Sequence, residues 1–310
     1  MSTSVLPVSR STWIARVSDY VELTKPRISI LVLVTVAVAQ YVAFMTHPAV
    51  ASNRLVLMLH TLFGTLLVAA SASALNQWLE RDTDRRMPRT AERPVPAGRL
   101  GAFEVLVFSS LTIVGGVAYL GFFANWIAAG WGLLTWFLYV WVYTPLKQNT
   151  AWNTAVGAIA GATPVLIGWT GSGAPLTLHA AVLFLILFVW QFPHFMAIAW
   201  IYRRQYGQAG IKMVTVVDPS GRRAGRQAVI GAWLLLPISL LPVFVVMTSH
   251  VPPFGLSIYA LAASMLGLMQ LTMALRFRRF LDERSARSLL RASLVYLPTL
   301  FAMQATTSLF

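Results

Sequence analysis

Nine apolar stretches, separated by short polar connections, leave this chain little choice of solvent. They run roughly 28–45, 55–75, 102–123, 126–143, 154–169, 176–200, 227–247, 253–275 and 288–310. A helix that crosses a bilayer needs about 20 mostly apolar residues. Hydrocarbon offers no partner to a bare amide, so such stretches must close their own hydrogen bonds as helices. Only 11% of the residues are charged, against about 25% in a soluble domain. The expected fold is an all-α integral membrane protein of nine transmembrane helices, with residues 28–310 as a single domain behind a polar, basic segment at 1–27. That segment lacks the pattern of a cleavable signal peptide. The stretch at 154–169 is the least apolar, and its Gly157, Gly161 and Gly168 suit close helix–helix approach.

The basic residues orient the stack. Of the 24 lysines and arginines, 23 fall at 1–27 or in alternate connections, and only Arg54 lies on the opposite side. Basic loops stay in the cytoplasm, which places the N-terminus inside and the C-terminus outside. The same rule accounts for the net charge of +14, so a nucleic-acid partner is not expected. With no cysteine in the chain, disulfides, thiolate zinc sites and covalently attached c-type heme are excluded. The two long polar loops, 76–100 and 201–226, lie on the cytoplasmic side, where chemistry is expected.

The second apolar stretch runs into LNQWLERDTDRRMPRTAERPVPAGRL. Asn76, Glu80 and Asp84 recur every fourth residue, which on a helix drifts only about 40° per step. They therefore share a face, and Asp82 points elsewhere. An amide and two carboxylates are hard oxygen ligands suited to Mg²⁺, which binds through one or two carboxylates and substrate phosphates. Arg89 and Arg93 follow, and arginine forks match phosphate oxygens. Simple helix-end ion pairs are the competing reading. Lys147, in a short turn after the fourth stretch, suits either a phosphate contact or a snorkelling anchor. His194, after a kinking Pro193 in the sixth stretch, suits either a cavity site or a bond to the carbonyl that the proline frees.

These residues carry a resemblance. YVELTKPRISIL at 20–31, the acidic block, RPVPAGRL at 93–100, YTPLKQNTAWNTAVGAIAGATPVLIGW at 143–169 and WQFPHFMAIAWIYRRQYGQAGIKM at 190–213 resemble the protoheme IX farnesyltransferases. That family is a branch of the UbiA-type intramembrane prenyltransferases. The resemblance implies a nine-helix bundle around a central cavity in a bacterial-type plasma (inner) membrane. It implies farnesyl transfer from farnesyl diphosphate to a vinyl group of heme b, giving heme O, with Mg²⁺ as cofactor and heme b as substrate. By position it assigns Asn76, Glu80 and Asp84 to metal and catalysis. Arg89, Arg93 and Lys147 go to diphosphate, and His194 to a heme contact. Arg203 and Arg204 join the diphosphate set because they lie immediately before Gln205 and offset the carboxylate missing there. Heme A synthase and oxidase assembly factors are the protein partners implied. Two residues depart from the pattern. Glu80 stands where aspartate is frequent, and Gln205 stands before Tyr206 where an aspartate is usual, which puts a second metal ligand there in doubt. A sister prenyltransferase, a secondary transporter and a non-catalytic heme-binding assembly factor are the competing functions. The clustering of acids at helix ends rather than mid-bilayer argues against the transporter.

The charge asymmetry makes a direct prediction. A reporter fused near Ser220 should read cytoplasmic and one fused after Phe310 external. A cytoplasmic C-terminus would require an even number of spans.

Overall fold

A computed structural model describes residues 12–48, 53–246 and 253–307. The N-terminal 1–11 and C-terminal 308–310, which include Arg10 and the end of the ninth predicted stretch, lie outside the described residues. A short amphipathic helix, α1 (Thr12–Leu23), precedes the first long one, α2 (Pro26–Thr46). Pro26 starts α2, where its missing N–H costs nothing. Then come α3 (Arg54–Leu79), the single turn α4 (Arg81–Asp84) and α5 (Ala102–Phe123). α6 (Trp126–Phe137) continues through a wide π-helical turn, 138–143, into α7 (Thr144–Asn149). α8 (Asn153–Ala162) and α9 (Pro164–Gly171) form one rod broken at Pro164. α10 (Leu178–Ile201) is followed by the short α11 (Arg203–Gln208) and α12 (Val214–Val217). The last long helices are α13 (Arg222–Val246), α14 (Pro253–Phe280) and α15 (Glu283–Thr307).

Eight helices among the described residues are long and apolar enough to cross a membrane. They correspond to the first eight predicted stretches, so the protein is an integral membrane protein. The ninth stretch lies in α15, which packs against α14 and α10. It begins in charged sequence at Glu283, Arg284, Arg287 and Arg291 and turns apolar later. Another boundary moves more. The sequence predicts Lys147 in a connecting turn, yet the fourth span is helical to Asn149. Pro145 near the start of α7 is tolerated because the π-turn before it has already shifted the hydrogen-bond register.

The weakest predicted span is the most enclosed. In the α8–α9 rod 78% of the residues across the apolar stretch are buried, against 28–50% in the other spans. Its glycines explain both facts: they lower hydrophobicity and remove the side chains that would hold neighbours away. A Cβ on Gly168 would overlap the backbone carbonyl of Val36 in α2. On Gly157 it would meet the Tyr143 ring at 2.6 Å. Helix association in lipid rests on such close packing and on polar contacts between helices. Gln40 donates to Thr61 at 3.1 Å, Trp136 to Ser71 at 3.0 Å and Gln191 to the Ala158 carbonyl at 2.9 Å.

The two classes of glycine should separate on mutation. Gly168→Ala should cost about 1–3 kcal/mol by overpacking, read as a lowered melting temperature in detergent. Gly130→Ala, whose Cβ would meet nothing within 4 Å, should be neutral or slightly stabilising.

Candidate functional site

The acidic block folds so as to keep its every-fourth-residue spacing across a helix break. α3 ends at Leu79, and Glu80 leaves helical geometry with ψ near 4°. The Glu80 N–H still donates to the Asn76 carbonyl at 3.0 Å, and the Asp84 N–H to the Glu80 carbonyl at 2.7 Å. Asn76, Glu80 and Asp84 therefore line one cavity of about 250 Å³. Asp82, with 64% of its side chain exposed, pairs outward with Arg85. The Glu80 and Asp84 side chains are only 9% and 2% exposed.

Each buried acid is held by a cation. Lys147 Nζ lies 2.8 Å from Glu80 and over the Tyr143 ring. Arg93 lies 2.8 Å from Asp84. Lys25 donates to the Asn76 side-chain oxygen, and the Asn76 amide donates to Thr144 at 3.0 Å. Burial would raise the Glu80 carboxyl, but the charges of Lys147 and Lys25, with hydrogen bonds from Lys147 and Asn76, bring it below its usual range. Burial, and then the Arg93 charge, lower Lys25 to about 7 against the partial support of Glu80. Lys25 also has a left-handed backbone, φ 51° and ψ 62°, a conformation that costs a side-chain-bearing residue energy and often marks a functional site. With Arg89 also in the lining, Arg89, Arg93, Lys147 and a partly charged Lys25 face two carboxylates, so the cavity carries a surplus of positive charge suited to an anion.

The charged cavity adjoins a greasy one. The second, about 330 Å³, lies among α2, α3, α6, α8, α9 and α10 and is lined mainly by small and apolar residues. Ile28, Tyr139, Tyr143 and Phe195 line both and mark the junction. The π-turn in the fourth span contains Tyr139 and Tyr143 and leads directly into Thr144 and Lys147. The loop after α10 closes over this end. The Lys212 N–H donates to the Lys147 carbonyl at 2.8 Å, and Tyr206, Ile211 and Met213 join the lining.

The structure thus gathers Asn76, Glu80, Asp84, Arg89, Arg93 and Lys147. Three other predicted residues fall outside both linings. The Arg203 guanidinium folds back over the Trp200 ring and onto its carbonyl at 2.7 Å. Arg204 is exposed, two residues from the cavity-lining Tyr206 and so on the opposite face of α11. His194 shares a hydrogen bond with Ser293 of α15 at 2.8 Å and stacks on Trp190, which itself donates to the Ser293 carbonyl. Its neighbour Phe195, not His194, faces the cavities. Gln205 has a buried side-chain oxygen with no partner among the described residues. Lys25 counts in the sequence only among the basic residues of 1–27 that orient the stack. Its position immediately before a helix-starting proline was the signal available. Tyr139 and Tyr206 had no sequence signal beyond being aromatic.

This geometry predicts unequal cations. Lys25→Ala should weaken binding of an allylic diphosphate at least about tenfold, in line with the loss of a charge-assisted contact. Arg203→Ala and Arg204→Ala should stay within about twofold. Isothermal titration of the purified protein would measure all three.

The chain is similar to known proteins over most of its length. The sequence pattern described as the UbiA prenyltransferase family matches residues 31–296. A protoheme IX farnesyltransferase of Solibacter usitatus is 41% identical, covering 92% of this chain and 97% of that protein. One of Rhodopirellula baltica is 44% identical, covering 90% and 96%. Among solved structures, a digeranylgeranylglyceryl phosphate synthase superposes with a TM-score of 0.77 at 12% identity, covering 95% of this chain and 99% of that one. A UbiA homologue from Archaeoglobus fulgidus bound to GPP and Mg²⁺ gives 0.65 at 13% identity, covering 92% and 99%. At these identities the structural likeness establishes the fold.

Proposed function

Because this chain belongs to the UbiA prenyltransferase family, we propose that it transfers a farnesyl group from farnesyl diphosphate to a vinyl group of protoheme IX, giving heme O. The observation that carries the reading is the joined pair of cavities, one charged and one greasy, in a chain about 40% identical over nearly its whole length to protoheme IX farnesyltransferases. An allylic diphosphate has this two-part chemistry. Its head would sit among Lys25, Arg89, Arg93 and Lys147, and its tail would extend past Ile28 and Tyr139 into the apolar cavity.

The donor set fits a divalent metal. Glu80, Asp84 and the Asn76 oxygen line one cavity, and Mg²⁺ is commonly held by one or two carboxylates completed by phosphate and water. We assign these three residues to it. When bound, Mg²⁺ would neutralise charge developing on the departing diphosphate. Lys147 and Arg93, relieved of the carboxylates, would turn to phosphate oxygens. Cleavage of the allylic C–O bond sends its electron pair to the diphosphate and leaves a carbocation at the cavity junction. Tyr139, Tyr143 and Phe195 line that junction, and aromatic faces attract cations. The vinyl π pair of heme then forms the new C–C bond. Water adds to the resulting cation on the heme side and releases a proton, leaving a hydroxyethylfarnesyl group. The apolar cavity keeps water from the first cation. This reading places the enzyme in a bacterial inner membrane with its charged cavity open to the cytoplasm, as the basic loops suggest.

The test is product analysis in membranes supplied with heme b and farnesyl diphosphate. Prenylated heme should appear, vanish with a chelator and return with Mg²⁺. Glu80→Ala and Asp84→Ala should lower the rate at least about a hundredfold, the usual effect of losing a charge-stabilising contact. Asp82→Ala should matter little. No prenylated heme from the wild type would sink the assignment. Equal sensitivity of Asp82 would sink the division of roles along the block.

A further inference from the structure

The cytoplasmic-end arginines of α13 and α14 do something that loop charges need not do: they converge. Arg222, Arg223 and Arg226 from the start of α13 and Arg278 from the end of α14 line one cavity of about 470 Å³, with Leu281 as its apolar wall. The lining holds no carboxylate. Among the described residues none of these four side chains forms an ion pair. The carboxylates nearest in sequence are engaged at helix starts. Asp218 accepts from the Arg223 N–H at 2.7 Å and from Ser220, and Asp282 accepts from the Ser285 N–H at 2.7 Å.

The backbone forces this convergence. Gly225 brings the two helices together so closely that a Cβ there would lie 3.0 Å from the Arg278 Cα. The cavity wall is strained as well. Leu281 has φ 48°, and with Lys25 it is one of two non-glycine residues with positive φ among the described residues. Holding like charges side by side is unfavourable unless an anion sits between them. Topology alone would be served by arginines spread over the surface.

The helix faces beyond the cavity define the rest of the ligand. Arg226, Ile230 and Trp233 recur at i, i+4 and i+7, one stripe of α13, and both apolar members are exposed. Leu275, also exposed, lies one turn from Arg278 on α14. A guanidinium cluster at the polar end of two outward-facing apolar stripes has the layout of a phosphate headgroup above acyl chains. Basic pockets between spanning helices are suited to anionic lipid headgroups. We propose that this cavity is a binding site for one anionic phospholipid, its phosphate on Arg226 and Arg278 and its chains along Ile230, Trp233 and Leu275. The site is separate from the cavity assigned to prenyl diphosphate and shares no lining residue with it.

The test uses the full chain, purified in detergent and stripped of lipid. It is titrated with phosphatidylglycerol and with phosphatidylcholine of the same acyl chains, and bound lipid is counted by native mass spectrometry. Wild type should prefer phosphatidylglycerol by about tenfold or more, since each arginine near an anionic headgroup adds to the attraction. Arg226→Gln/Arg278→Gln should lose the preference, and Arg226→Lys/Arg278→Lys should keep most of it. The control Arg284→Gln/Arg291→Gln alters a neighbouring basic pocket that already contains Glu283, and it should behave as wild type. Equal binding of the two lipids by wild type overturns the proposal without recourse to any variant. So does an equal loss in the control pair, which would mean diffuse surface charge. Displacement of the lipid by millimolar inorganic phosphate would identify a free-phosphate site instead and equally overturn it.

Discussion

Everything at the mouth of this bundle depends on keeping two carboxylates charged where water is scarce. A charged group at membrane depth is costly unless it is paired. Glu80 and Asp84 meet that condition through Lys147 and Arg93, which approach from a different span and from the loop that follows. These pairs tie the end of α3 to the end of the fourth span and draw the loop 85–100 back over the cavity. A buried ion pair is a poor source of net stability, because desolvation consumes most of the attraction. Its value here is positional. It holds cations and acids in contact at the mouth of one cavity.

The greasy cavity is built by the opposite means. No charge organises it. It exists because the α8–α9 rod presents glycine and alanine where other helices would present leucine. Gly157 makes room for the Tyr143 ring, and Gly161 for the Gln191 side chain. The π-turn at 138–143 adds a residue to the helical register just where Tyr139 and Tyr143 must meet the cavity and Lys147 must meet Glu80. π-helical turns of this kind cost regular hydrogen bonding and recur at functional sites.

α1 shows how the same interface handles a surface element. Its Trp13, Ile14, Val17 and Val21 are exposed. Its acidic face is tied down by Arg99, which bonds Asp19 at 2.7 Å and Glu22 at 2.8 Å. An amphipathic helix so arranged suits the plane of the membrane surface. It leads through Thr24 into Lys25, whose left-handed backbone makes the corner between surface helix and spanning helix.

The sequence by itself determined the all-helical membrane fold, the first eight spans, the shared face of Asn76, Glu80 and Asp84, and the separation of Asp82 from them. Those features are local: hydrophobic length, helical spacing and charge placement are written within a few turns of chain. Only the tertiary structure decided the rest. Lys25 is distant in sequence from Asn76, and Lys147 from Glu80; the proline after Lys25 marks a helix start, but neither lysine meets its partner until the spans pack. Arg203, Arg204 and His194 carry the right chemistry, yet Trp200 captures the first, the far face of α11 exposes the second, and Ser293 of α15 holds the third. Which way a polar side chain turns at a helix end is set by partners from other helices. Those partners are chosen by packing, which the linear pattern does not record.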